Sequence, residues 1–274
     1  MMVLKRMRLD AELVRRKICD SRERARDLID SGRVIVNGVA ATKPATQVEP
    51  TTSIALTASD EPDWASRGAH KLVGALEAFS DVPVSGARCL DAGASTGGFT
   101  DVLLSRGATR VEAVDVGYGQ LVWRLRSDER VGVHDKTNVR SLTPDDIGGP
   151  VDLVVSDLSF ISLALVLPAL AACVRPGGDL LPMVKPQFEV GRERVGQGGV
   201  VRDPALRIEA VTGVARAAAA LGLEPLGCVA SPLPGPSGNV EYFLHLRKVG
   251  AGERLEMSAE AQQAIRTAVE EGPQ

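Results

Sequence analysis

The sequence predicts an α/β protein in which a mostly parallel, helix-covered sheet is preceded by a small α+β unit. Three observations carry the prediction. From residue 87 short apolar runs alternate with helical stretches; before residue 50 two short amphipathic helices lead into a hairpin; and the 274 residues are 44% hydrophobic and 24% charged, an ordinary globular composition. Aromatic residues make up only 3%, so Ala, Val and Leu are the main core material and base-stacking platforms are few.

In the first unit, Leu9, Leu13 and Val14 share one face of a helix within 8–15. Ser21 is placed to cap a second helix over 21–29, which Gly32 stops. Asn37-Gly38 supplies the positive φ angles of a tight type I′ turn, so residues 33–40 read as a hairpin. Charge is uneven. Positions 1–50 hold 11 basic and 7 acidic residues, a net of +4, which leaves −7 for the other 224 and −3 overall. A basic head on an acidic body reads as a polyanion-gripping module, or equally as a solvated helix face.

The order of these elements, with Arg8-Leu9-Asp10, Ser21-Arg22-Glu23-Arg24-Ala25-Arg26, the Asn37-Gly38 turn and Lys43-Pro44, resembles the small RNA-binding fold of ribosomal small-subunit protein four, pseudouridine synthases and tyrosyl-tRNA synthetases. The match covers about residues 6–58. It implies docking on folded RNA through the backbone, with Arg6, Arg8, Arg22, Arg24, Arg26 and Lys43 as contacts, because guanidinium and ammonium groups pair with phosphate. Arg15 and Arg16 read equally well as helix charges, and Asp20 stands where a positive residue would be expected. Polar residues 51–53 and the Asp60–Trp64 stretch with its proline mark a boundary. The division expected is 1–60 for RNA binding, 61–66 as linker and 67–274 for a second domain.

Strands in that domain are expected at 87–90, 110–114, 131–134, 151–155 and 179–184. No apolar run reaches the roughly 20 residues of a membrane span, since Pro168 interrupts the stretch from Ile161 to Val174. The N-terminus enters a charged amphipathic stretch with no apolar signal core, so a cytoplasmic protein is expected. Cys19, Cys89, Cys173 and Cys228, like His70, His134 and His245, are scattered, so neither a metal site nor a disulfide framework is expected.

The first strand runs into Asp91-Ala92-Gly93-Ala94-Ser95-Thr96-Gly97-Gly98-Phe99, which opens a helix at the sheet edge where ligands bind. Both GxGxxG and GxxxxGK[ST] are missing. Instead Asp91 ends its strand and Asp115 ends the next, 24 residues on. This pattern resembles class I, Rossmann-like S-adenosylmethionine-dependent methyltransferases. The resemblance implies that Asp115, with Val116, takes the ribose hydroxyls, that Asp91 and the turn (Gly93, Ala94, Ser95, Thr96, Gly97, Gly98, Phe99) hold the amino-acid part, and that Thr137 and Asn138 lie by the adenine. After the fourth strand, Ser156-Asp157-Leu158-Ser159-Phe160 lacks the Asn/Asp-Pro-Pro-aromatic loop of amine methylation, and no cysteine stands ready as a nucleophile, Cys89 and Cys173 reading as core.

Lys71, Asp157, Lys185 and Glu241 stand at strand or helix ends, an order resembling the tetrad of RrmJ/FtsJ-like ribose 2′-O-methyltransferases. A ribose hydroxyl is a very weak acid, so a buried amine with a cationic neighbour is a sensible base. Lys185 takes that role, Lys71 is the neighbour, and Asp157 and Glu241 orient them. The joint architecture resembles the TlyA family across nearly the whole chain, which implies cytidine 2′-O-methylation of ribosomal RNA in the large subunit and, in some members, the small. Two rival classes are a haemolysin-like membrane-acting protein, for which no spanning segment speaks, and a non-catalytic RNA-binding assembly factor, against which every expected acid and lysine stands. The glycine-rich stretch Glu189–Asp203 reads as a substrate lid or as a plain surface loop.

Overall fold

All five expected strands form, and two more join them. The computed structural model describes residues 6–19, 21–57, 62–235, 237–250 and 255–273; Asp20, residues 60 and 61 of the expected boundary, and Pro236 lie outside the described residues. The chain divides into two units, Met1–Arg67 and Gly68–Gln274.

In the first unit, β1 (Met7–Arg8), α1 (Leu9–Arg15) and α2 (Arg22–Asp30) are followed by β2 (Val34–Val36), β3 (Val39–Ala40), β4 (Gln47–Val48) and β5 (Ile54–Leu56). The Ser21 hydroxyl accepts from Arg24 N, capping α2 as expected. Asn37 and Gly38 have φ of 50° and 83°, the left-handed pair that turns β2 into β3. Leu9 and Leu13 pack with Leu28, Ile29 and Val34 in a core of their own.

In the second unit, α3 (Ala69–Ala78) leads into β6 (Arg88–Ala92), α4 (Gly98–Ser105), β7 (Arg110–Val114), α5 (Trp123–Arg126), β8 (Val131–His134), β9 (Val151–Ser156), α6 (Leu167–Cys173), β10 (Val174–Val184), α7 (Pro186–Glu189), α8 (Pro204–Ala219), β11 (Leu223–Ala230), β12 (Tyr242–Lys248) and α9 (Ala259–Glu270). The seven strands lie in the order β11-β12-β10-β9-β6-β7-β8. The five from β10 to β8 are parallel, while β12 runs antiparallel to both β10 and β11.

Two consequences fix the site. The strand order reverses at β6, whose neighbours are β7 and β9, so a crevice opens beyond the carboxyl ends of these strands. Because β12 is antiparallel, its first residue lies at the edge where its neighbours end: Tyr242 pairs with Val184, which sets Glu241 beside Lys185. Tyr242, Leu244 and Leu246 enter the core shared with α6, α8 and α9, whereas Phe243 meets Phe99 on the opposite face. The Glu189–Asp203 loop is pinned, with Val201 N donating to Asn239 Oδ1 at 2.9 Å and Asn239 Nδ2 donating to Gly199 O at 2.8 Å. Among the described residues no helix is long and apolar enough to cross a membrane.

Candidate active site

A cavity of about 530 Å³ occupies the crevice. Its lining comes from the segments just past the strand ends: Gly93 and Ser95 after β6, Asp115 and Val116 after β7, Thr137 and Asn138 beyond β8, and Asp157 to Ile161 after β9. Six of the residues expected at the donor therefore meet in one wall. Ala94 and Phe99 turn into the core instead, and Asp91 is fully buried.

The turn is tied down at both ends. Gly93 N donates to Val114 O at 2.8 Å, and Ser95 N donates to Asp115 Oδ2 at 2.8 Å. Asp115 Oδ1 accepts from Gly117 N at 2.6 Å. Gly93 has φ of 90°, and a Cβ there would lie 2.6 Å from the carbonyl oxygen of Asp157. Gly97, at φ of 101°, would thrust a Cβ into Leu121 and Leu125. Only glycine lets the turn lie this close to the β9 loop.

Asp91 Oδ2 accepts from the Thr100 hydroxyl at 2.7 Å, while Oδ1 is buried with no hydrogen-bond partner among the described residues. Burial pushes its carboxyl up to about 7, against the pull of the Thr100 hydrogen bonds. An orphaned buried carboxylate oxygen beneath the turn fits a cationic amino group, the half-buried carboxylate of Asp115 on the cavity lining fits a diol, and the cavity volume suits a nucleoside-sized ligand. The residues present therefore fit S-adenosylmethionine.

Beside the cavity the four expected charges close into a ring. Lys71 Nζ lies 2.6 Å from Glu241 Oε2 and 3.9 Å from Asp157 Oδ2. Lys185 Nζ lies 2.6 Å from Asp157 Oδ1 and 3.9 Å from Glu241 Oε1. Both lysines and Glu241 are buried, and Asp157 is half-buried on the cavity wall. Positive and negative groups thus alternate around the ring, an arrangement the sequence order alone did not give. Sequence reasoning also passed over Ser159, whose hydroxyl accepts from Lys185 Nζ at 2.9 Å and which lines the cavity. Its only signal was its place two residues after Asp157. Burial pushes the Cys89 thiol to about 12 and that of Cys173 to about 11, in keeping with their reading as core.

The family model for FtsJ-like methyltransferases matches residues 64–248, and that for the S4 domain matches residues 7–54. A protein of Mycobacterium tuberculosis named 16S/23S rRNA (cytidine-2′-O)-methyltransferase TlyA is 58% identical over 98% of this chain and 99% of its own. The chain belongs to the TlyA family of FtsJ-like methyltransferases. As a TlyA-family methyltransferase it uses S-adenosylmethionine. Another relative, named Hemolysin A, from Brachyspira hyodysenteriae, is 36% identical over 87% of this chain and 99% of its own. A solved structure from Streptococcus thermophilus, described as a hemolysin, superposes with a TM-score of 0.75 at 36% identity, covering 98% of each chain. TlyA-family members thus carry both kinds of name on one architecture.

The five arginines and the lysine expected to meet RNA all fall in the S4-matching unit, in different settings. Arg8, Arg22 and Arg26 converge on Asp10, at 3.0, 2.9 and 3.7 Å, while their own side chains are about half exposed. The hydrogen bond from Arg8, with Arg22 beside it, holds the buried Asp10 carboxyl far below the usual carboxylate range. Arg6 pairs with Glu49 and Arg24 with Asp63. Lys43 is exposed. Arg16 is a strut: it bonds Glu12 and the carbonyls of Glu49, Pro50 and Thr52.

Proposed function

We propose that this methyltransferase modifies the 2′-hydroxyl of cytidine ribose in ribosomal RNA of the large subunit and, on the pattern of its 16S/23S-named relative, of the small subunit as well, working in the cytoplasm. The observation that carries this reading is the Lys71–Glu241–Lys185–Asp157 ring against the wall of the donor cavity. The bound donor supplies an electrophilic methyl group on a sulfonium. Asp115 holds the ribose of the donor, Asp91 faces its amino group, and Thr137 and Asn138 flank the base. Lys185 Nζ takes the proton of the RNA hydroxyl as the oxygen attacks, and Asp157 fixes that amine. Lys71, held by Glu241, places a positive charge where negative charge develops on oxygen. On this reading residues 1–60 grip RNA, 61–66 link, and 67–274 carry the chemistry; Arg8, Arg22 and Arg26, pre-aligned on Asp10, present a cationic face to phosphate.

Ribose-methylation mapping of ribosomal RNA from cells with and without the protein tests it. A cytidine 2′-O-methyl that disappears with the gene and returns with the wild-type protein is expected. An unchanged ribose map, with methyl groups lost from bases instead, refutes the ribose assignment.

A further inference from the structure

We infer that Ser159 is a positioning residue for Lys185, holding its amine in the direction from which the ribose proton is taken. The inference rests on the ribose-methylation reading above. The Lys185 side chain ends in a freely rotating nitrogen, and a base is useful only when its lone pair points at the proton it removes. Two short contacts restrain that nitrogen: Asp157 Oδ1 at 2.6 Å and Ser159 Oγ at 2.9 Å. Glu241 Oε1, at 3.9 Å, lies beyond hydrogen-bond reach. With Asp157 alone the amine could swing about a single contact. With Ser159 as well, two N–H directions are fixed, and the third position of the neutral amine is a lone pair set by the first two.

Ser159 does this without adding charge, so the charge of the ring is set by its four members alone. Its place is rigid for reasons visible along the loop. Asp157 N donates to Ala92 O at 3.2 Å, tying the start of the loop to β6. Phe160 is held at φ of 64°, a conformation disfavoured for a bulky L residue. Further on, the Ser162 hydroxyl and Leu163 N donate to Glu189 at 2.6 and 2.8 Å, and Glu189 ends α7, the helix that begins directly after Lys185. The segment bearing Ser159 and the segment bearing Lys185 are therefore clasped together on the far side of their own contact. Ser159 also lines the donor cavity, so its hydroxyl joins the amine to the wall along which the methyl group must arrive. In the step itself the proton passes from the 2′-oxygen to Lys185 Nζ, the oxygen–carbon bond forms as the carbon–sulfur bond breaks, and sulfur leaves with the electron pair as a neutral thioether. Ser159 neither gains nor loses a proton.

Full-length Ser159→Ala and Ser159→Thr test the assignment by two measurements. The first is the 15N resonance of the Lys185 ε-amino group, identified as the one missing from Lys185→Ala, and it needs no RNA. It should shift or broaden in Ser159→Ala and stay near its wild-type place in Ser159→Thr, which keeps the hydroxyl. The second is the single-turnover rate at saturating donor and ribosomal RNA, expected to fall roughly 10- to 100-fold in Ser159→Ala, the loss of one hydrogen bond to an amine that becomes charged as it takes the proton. Dissociation constants for donor and RNA should stay within about twofold, and Ser159→Thr should recover most of the rate. An unmoved resonance overturns the inference, and so does a loss confined to donor affinity, which would make Ser159 a wall of the cavity and nothing more. Failure of the ribose reading shows separately, as a wild-type protein that leaves no ribose methyl group while the resonance still moves.

Discussion

Glu241→Gln tests the ring most severely. Glu241 is 1% exposed and faces Lys71 at 2.6 Å and Lys185 at 3.9 Å, so the substitution leaves two buried lysines facing one carboxylate, Asp157. Removing one partner of a buried ion pair costs about 3–5 kcal/mol, because the surviving charge remains desolvated and unpaired. For a unit of about 200 residues this corresponds to a melting temperature lower by on the order of 10 °C. Calorimetry or chemical denaturation reads the loss, and methyl transfer to ribosomal RNA should fall with it. A second variant separates stability from chemistry. In the double replacement Lys71→Met with Glu241→Leu, one charge of each sign is removed and the Lys185–Asp157 contact of 2.6 Å is left intact, so most of the stability should return while activity does not. Glu241→Gln with wild-type melting and wild-type transfer would refute the argument that the ring is a coupled buried set.

Lys185→Ala should slow transfer about 10²- to 10⁴-fold with little change in donor affinity, and Lys185→Arg should not restore it because guanidinium keeps its proton; a wild-type single-turnover rate that does not rise with pH would speak for alignment over proton removal. Asp115→Ala should weaken donor binding by about 1–3 kcal/mol in calorimetry, and Asp115→Asn, which can still accept from Ser95 N, should lose less. Burial holds Asp91 protonated up to about 7 in the folded protein against 3.8 as its reference, so the stability it contributes is full below pH about 4 and lost as pH rises through about 7. Denaturation of the donor-free protein across pH 4–7 should show this slope and Asp91→Asn should flatten it, while affinity for a cationic donor should rise over the same range in wild type alone. Removing residues 1–60 should leave donor affinity largely intact and abolish methylation of ribosomal RNA, and a truncated protein with normal transfer would end the proposed division of labour.

The parts of this fold that the sequence made legible are those whose two faces or two ends differ chemically. Strands β6 to β10 alternate with helices, and the Ser21 cap and the Asn37-Gly38 turn each announce a boundary by residue type. The two strands of the second unit that were not expected are marked less plainly. In β12, Tyr242 to Leu246 is buried on both faces, so no polar alternation marks it, and His245 enters the interior by pairing with Asp179 at 2.9 Å. In β11 the register shifts between Pro225 and Gly227, which looks like a turn in sequence. At the site, the resemblance to the ribose-methyltransferase tetrad nominated all four ring members, Lys71 in the first turn of α3 and the other three beside strand ends. Which lysine meets which carboxylate depends on the antiparallel entry of β12, and Ser159, an ordinary polar residue in a loop, gains its meaning from a contact with a side chain 26 positions away.

The ring has a further consequence for how reaction and grip are separated. Like charges sit at opposite corners, so with both lysines protonated the four together have no net charge and little dipole, and their field is close to quadrupolar, fading with distance far faster than that of a lone lysine; with Lys185 neutral, as a base must be, the ring carries one net negative charge. Neither form draws a passing phosphate toward the site. On the proposed division of labour, added salt should therefore weaken the hold of the S4-matching unit's arginines on RNA while leaving the speed of the bound complex nearly untouched. The proposed methyl-transfer site thus adds no grip of its own on the polyanion it serves.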